Sequence, residues 1–201
     1  MRRSIGQFIR KTLESLSKKF WNFYEDFYEW LFRIKPVGPP GEGAFRWGIT
    51  HYRGPGITLE DGVRIARGEV VGEIHTDNRL IMELRKKFND PVSFYVEVLR
   101  RMRLSLGELA KISNFEPRLK KVKAFRGTTL LHEGARRLGF EVFPMETKAK
   151  EVWETKVQYF FLRKYMDEGF EKKREKGLVS KRIWLSKEKL IRLYGDHSTL
   201  K

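Results

Sequence analysis

The chain has 201 residues, with 42 Lys or Arg against 26 Asp or Glu and a formal charge of +16. That length suits one domain of ordinary size, with or without an appendage. The absence of cysteine excludes disulfides, thiolate zinc sites and cysteine nucleophiles, and 15 Phe, 7 Tyr and 5 Trp argue against disorder.

The first segment, residues 1–35, carries Ile5, Phe8, Ile9, Leu13, Leu16, Phe20, Phe23, Phe27, Leu31 and Ile34 in steps of three and four, which predicts an amphipathic helix. Its first half is basic through Arg2, Arg3, Arg10, Lys11, Lys18 and Lys19, and its second half is aromatic. Two readings stand: a helix lying on an anionic membrane, or one packing its apolar face on its own domain. Glu25, Asp26 and Glu29 amid the aromatics favour the second. Residues 36–43, rich in Pro and Gly, read as a linker, residues 44–195 as a single domain and 196–201 as a tail.

Within the domain, Phe45 to Tyr52 is β-forming. Residues 57–60 and 63–65 flank Asp61-Gly62, a strong hairpin signal. A strand follows over Val70 to His75. Thr76, Asp77 and Asn78 are N-caps for a helix through Leu80, Leu84 and Phe88, and Asp90-Pro91 opens the next. Ser105 and Glu108, at capping-box spacing, predict a separate short helix. Val122 to Phe125, a helix over Leu130 to Leu138, and Phe140 to Phe143 make a βαβ-like unit whose strands could be parallel. A long helix over 148–168 is expected to bury Val152, Trp153, Val157, Phe160, Phe161 and Tyr165. A charged stretch follows over 171–176, then a last strand over Ile183 to Leu185 and a helix capped by Ser186. The fold class is α+β: a mixed sheet with an antiparallel hairpin segment and a βαβ-like unit, flanked by helices, plus the N-terminal amphipathic helix.

Two stretches carry a resemblance. Gly72-Glu73-Ile74-His75-Thr76-Asp77-Asn78-Arg79-Leu80, and Gly127-Thr128-Thr129-Leu130-Leu131-His132-Glu133-Gly134-Ala135-Arg136-Arg137-Leu138-Gly139-Phe140, resemble the YkoP-like domain over roughly residues 44–195. That bacterial domain occurs alone or attached to polysaccharide deacetylase domains. The resemblance implies a neighbourhood at the cell envelope and no reaction.

His75, Asp77, Asn78 and Arg79 sit where a strand gives way to a helix, a place that gathers polar side chains and free N–H groups suited to an anion. The competing reading is plain helix capping. Arg126, Gly127, Thr128, Thr129 and then His132 form a second such junction. It is vaguely similar to the acetyl-CoA loop of GNAT acetyltransferases, but Thr129 and Leu131 stand where that family's motif needs glycine or alanine. His51, His75, Asp77, His132 and Glu133 lack the spacing of a metal site, so no metal is expected, and no cofactor is named by the sequence. His75 with Asp77 could act as a base and its orienter.

Charge is uneven: net +4 over 1–35, −2 over 36–78 and +14 over 79–201. It fits a polyanion or an anionic membrane, while the basic helices lack a recognition-helix signature for reading DNA sequence. No apolar run reaches the roughly 18 residues of a membrane span, and no signal-peptide pattern is seen. The expected protein is a ligand-binding or accessory module in the cytoplasm, peripheral on the inner face of the membrane if residues 1–35 bind lipid instead of packing on the domain. A GNAT-like acyltransferase and a non-specific nucleic-acid binder are the alternatives.

Overall fold

The structure is a computed structural model that describes residues 34–39, 41–165 and 178–195, with side chains as far as Phe160 in the middle segment. The helix expected over 1–35, the charged stretch 171–176 and the tail 196–201 lie outside the described residues. The chain divides into two compact units, Met1–Lys35 and Pro36–Lys201.

The strands are β1 (Lys35–Pro36), β2 (Phe45–His51), β3 (Ile57–Thr58), β4 (Arg64–Ile65), β5 (Val70–Thr76), β6 (Ala124–Thr129), β7 (Glu141–Phe143) and β8 (Lys181–Ser186). The helices are α1 (Asn78–Lys87), α2 (Pro91–Phe115), α3 (His132–Arg137), α4 (Lys148–Tyr165) and α5 (Lys187–Tyr194). Six strands form one sheet in the order β1-β2-β5-β6-β8-β7, and β3 and β4 pair separately. β5 and β6 run parallel, joined by the crossover through α1 and α2, whereas β2–β5, β6–β8 and β7–β8 are antiparallel. The fold is α+β.

Local chemistry sets the element ends. Asp77 accepts from the N–H groups of Arg79 and Leu80 and starts α1. Asp90 accepts from the Ser93 N–H, with Pro91 at the first helical position of α2. Ser186 accepts from Lys189 N–H and starts α5. In the β3–β4 hairpin Gly62 takes φ 86°, a conformation that the Asp61-Gly62 pair supplies at little strain.

Three expectations are corrected. Ser105 does not begin a new helix; α2 runs unbroken for 25 residues. Its hydroxyl donates to Arg101 O at 2.9 Å and accepts from the Ala44 N–H at 2.7 Å, so it anchors the start of β2. β6 continues through Arg126-Gly127-Thr128-Thr129, because each of these residues pairs with β8, and α3 is confined to His132–Arg137. The two strands of the βαβ-like unit run parallel, as expected, with β8 between them and antiparallel to both. Finally, α4 leaves Val152, Trp153 and Phe160 exposed, with Val157 half-buried, and turns its polar side inward. Phe161 and Tyr165 lie beyond the described side chains.

One sheet face is apolar. Phe45, Trp47, Ile74, Phe125 and Leu185 meet Leu106, Leu109 and Ala110 of α2, Ala135 of α3, and Leu190 and Tyr194 of α5. Gly72 lies opposite Phe125 in the register, and a Cβ there would fall 2.3 Å from the buried Phe125 ring. A smaller cluster of Tyr52, Leu59, Ile65, Val71, Ala124 and Trp184 fixes the hairpin to the other face. No helix among the described residues is long and apolar enough to cross a membrane.

Gly72→Ala is expected to destabilise the protein by about 1–3 kcal/mol, since a well-packed ring must move. Gly134→Ala, in α3 with open space at its Cβ position, should be neutral or stabilising by up to about 1 kcal/mol. Urea denaturation of both variants checks the contrast.

Candidate functional site

Strand alternation places successive side chains on opposite faces. On the face away from α2, the register lines up Gly48, Glu73, Arg126, Trp184 and Glu141 in one row across five strands. The adjacent positions pair Arg46 with His75 and Thr128 with Arg182. Three central strands therefore each contribute charged or polar groups to the middle of a sheet.

Those groups interlock. Arg126 donates through Nη2 to Glu73 Oε2 at 2.9 Å and through Nε to the same oxygen at 3.3 Å. Arg182, only 5% exposed, donates from Nε to Glu146 Oε1 at 3.2 Å and from Nη2 to Glu146 Oε2 at 3.1 Å, a two-point clamp. Its Nη1 donates to Thr128 Oγ1 and lies 3.8 Å from Glu73 Oε1. Arg126 Nη1 lies 3.9 Å from Glu146 Oε1, beyond hydrogen-bond reach. Two guanidiniums and two carboxylates thus alternate around a ring. The Arg126 guanidinium also sits 5.8 Å from the Tyr52 ring and 5.9 Å from the Trp184 ring, which meet edge to face.

The ring perturbs its neighbours. Burial pushes the His75 imidazole below its ordinary pKa; Glu73 pulls it back up, while Arg126, Arg182 and Arg46 press it down further. His75 is neutral at pH 7. Burial tends to raise the Glu146 carboxyl, but the hydrogen bonds and charge of Arg182 outweigh it and leave this group below the ordinary range. Glu154, on the inward side of α4, is different. Burial raises its carboxyl, Arg182 and Lys150 offset this only in part, and Glu73 and Glu146 add repulsion. Glu154 makes no hydrogen bond among the described residues.

α4 brings the rest of its polar side to the same end of the sheet. Glu151 accepts from Lys181 Nζ at 3.2 Å, Thr155 Oγ1 accepts from the Ser180 N–H at 2.9 Å, and Gln158 Oε1 accepts from the Leu130 N–H at 2.7 Å. The inversion of this helix follows from what it covers, because a charged sheet face needs polar partners.

The residues singled out in the sequence divide between the two readings. Because β5 and β6 are parallel neighbours, the two junctions lie at the same end of the sheet's central strands. His75, Arg126 and Thr128 join the charged face. Asp77 is taken up by capping and by an ion pair with Arg46 Nε at 2.8 Å. Asn78 and the exposed Arg79 open α1. Gly127 turns its Cβ position toward Ile183 on the apolar side, and Thr129 Oγ1 accepts from Leu131 N–H. His132 opens α3, with Nδ1 3.5 Å from Glu133 Oε1. His51 pairs with Val70, at the opposite end of β5 from His75. No group of three His, Asp or Glu among the described residues could hold a metal ion.

Sequence reasoning missed Arg46, Glu73, Glu146, Glu154, Arg182, Tyr52 and Trp184. A signal existed for some of them. Glu73 with His75, Arg126 with Thr128, and Arg182 with Trp184 are spaced by two, the mark of one strand face.

The pKa directions give a test with opposite signs. Unfolded His75 titrates near 6.5 and folded His75 lower, so the unfolded chain gains protons first and stability falls as pH drops below about 6.5. His75→Gln should lose less stability between about pH 7 and 5 than the parent. Folded Glu154 titrates above 4.5, so its contribution is present at lower pH and is lost as pH rises through the folded value. Glu154→Gln should melt higher than the parent at about pH 7, with the difference vanishing below about pH 4.5. Thermal melts across this range read both effects.

Comparison with known proteins adds two findings. The family model described as the YkoP domain matches residues 14–194. The Bacillus subtilis (strain 168) protein named "Uncharacterized protein YkoP" is 28% identical over 123 residues, which cover 61% of this chain and 67% of that protein. No solved structure matches the chain significantly.

Proposed function

The chain belongs to the YkoP domain family, and from that premise we propose that it is a ligand-binding module whose ligand carries a phosphate or carboxylate held by Arg126 on the charged sheet face. The observation that carries this reading is the pairing of two guanidiniums, Arg126 12% and Arg182 5% exposed, in the middle of a sheet. A buried ion pair adds little net stability over well-packed apolar residues, and perturbed groups gathered at one place mark candidate functional sites.

The two arginines divide the work. Arg182 has its N–H groups committed to Glu146 and Thr128, so it orients the site. Arg126 binds Glu73 on one side, and its Nη1 lies 3.9 Å from Glu146 Oε1. An incoming oxyanion would take that donor and the charge behind it. Glu154, with its raised pKa, offers a carboxyl able to donate when protonated. Tyr52 and Trp184 back the arginine with aromatic surface. This combination recognises the anion and has a polar group to spare for the rest of the ligand.

The acyltransferase alternative relied on a loop at Arg126 to Thr129, and those residues are strand. It is separated from simple anion binding by the same screen. Thermal shift and calorimetry with inorganic phosphate, sugar phosphates, nucleotides, CoA and small carboxylates are the experiment. A true ligand at about 100 times its Kd stabilises by about 2.7 kcal/mol, a shift of roughly 5–10 °C in a chain of this size. Arg126→Gln should weaken that ligand by roughly 10–100-fold through the lost charge-assisted bonds. A panel without any shift, or a Gln variant that binds as well as the parent, would reject the proposal. A response confined to CoA compounds would favour the transferase reading.

A further inference from the structure

Four neighbouring strands end together, opposite the strand-to-helix junctions. His51 closes β2, Val70 opens β5, Ala124 opens β6 and Ser186 closes β8, and the register sets these residues side by side. At the usual strand spacing that end is about 14 Å wide. The connections that meet there are basic. Arg53 follows Tyr52, whose carbonyl accepts from the Gly68 N–H at 2.7 Å, so the turn that carries Arg67 lies beside it. Between α2 and β6, one 3-10 turn over Pro117–Leu119 leads into Lys120, Lys121 and Lys123. Lys187 opens α5 against this connection, its N–H donating to Lys123 O at 2.8 Å and its Nζ to Leu119 O at 3.1 Å.

The carboxylates at this end are fewer, and most are occupied. Glu69 pairs with Lys123, and Glu116 caps the 3-10 turn. Glu60 and Asp61, at the margin toward β7, are met by Lys189 and Ser186, which leaves Glu188 exposed on α5. By contrast Arg53, Arg67, Lys120 and Lys121 are exposed, and none of the four makes a hydrogen bond or ion pair among the described residues. Phe115, which closes α2 just before the 3-10 turn, is 81% exposed and makes no ring contact among the described residues.

We propose that this end of the sheet binds single-stranded nucleic acid, with the four unpaired cations on its phosphates and a base stacked on Phe115. Cations on separate turns across about 14 Å suit a chain of repeated charges, whereas a small anion would engage one or two of them. The free ring selects the single strand, because the bases of a duplex already stack on one another and unpaired bases offer their faces to aromatic side chains. A bilayer is the poorer occupant. An interfacial element lays an apolar stripe into the headgroup region, and in these connections Phe115 is the one exposed large apolar side chain among the described residues. The proposal does not rest on the anion site around Arg126.

The test is fluorescence anisotropy of the full chain with labelled oligo-dT, alone and in duplex with oligo-dA, over a series of salt concentrations. Oligo-dT should bind with a Kd of about 1–100 μM at physiological salt, and four phosphate contacts give a log–log salt slope of about −3. K120A/K121A should make that slope shallower by about 1.4 and weaken binding to both forms. F115A should weaken oligo-dT by about 5–100-fold while leaving the salt slope and the duplex affinity as in the parent. All three side chains are exposed, so both variants should melt like the parent. A slope near zero, K120A/K121A binding as tightly as the parent, or F115A binding oligo-dT unchanged overturns the proposal. So does the absence of oligo-dT binding at low salt, and binding to phosphatidylglycerol vesicles or polyglutamate in its place would assign this surface to a membrane or an acidic protein.

Discussion

Arg126, Arg182, Glu73 and Glu146 occupy the middle of a sheet face, where no charge can be left without an opposite one. A lone ion in a low-dielectric interior loses several kcal/mol of hydration, and only close, well-aligned partners return it. The remaining architecture on that face follows from this demand. The loop after β7 has to deliver Glu146 to the Arg182 guanidinium, and β8 has to set Arg182 across from Thr128 on β6. α4 must then show the sheet its Glu151, Glu154, Thr155 and Gln158. The opposite face has no such demand and is filled by Trp47, Phe125, Leu106, Leu109 and Leu185 in the ordinary way.

This asymmetry explains which parts of the fold could be read from residues alone. Starts set by short-range chemistry were legible: Asp77 before α1, Asp90-Pro91 before α2, Ser186 before α5, and Gly62 in the hairpin. Each needs only neighbours within three positions. What escaped depended on partners far along the chain. The Ser105 hydroxyl reads as a cap until the Ala44 N–H, 61 residues away, is seen to donate to it. Arg126 to Thr129 read as a turn until β8 supplies pairs for all four. The apolar residues of α4 follow a helical period that would normally bury them. The period marks an apolar side of a helix; which side meets the protein depends on the surface opposite.

The site shows the same division. His75, Arg126 and Thr128 were singled out because they lie near strand-to-helix junctions, and they do share the charged face. Their neighbours in sequence, Asn78, Arg79, Gly127 and Thr129, serve caps, close approaches and turns. The partners that complete the cluster, Arg182 and Glu146, come from segments 54 and 20 residues beyond Thr128 and Arg126. Alternation along β5, β6 and β8 was visible, but the adjacency of those strands was not, since β8 enters the sheet out of sequence order.

That out-of-order strand sets a timetable for synthesis. The ribosome completes β5, β6 and β7 long before residues 181–186 exist, so for that interval β6 has a neighbour on one side only and β7 lacks its neighbour β8. The nascent chain thus carries an open slot, with the carboxylates of Glu73 and Glu146 still waiting for Arg182. β8 closes the slot from both sides at once, in a step that joins residues more than fifty positions apart and is slow for that reason. Until then the unfinished sheet displays strand edges to whatever else is in the compartment. Among the described strands, the last to leave the ribosome is the one that makes the sheet continuous.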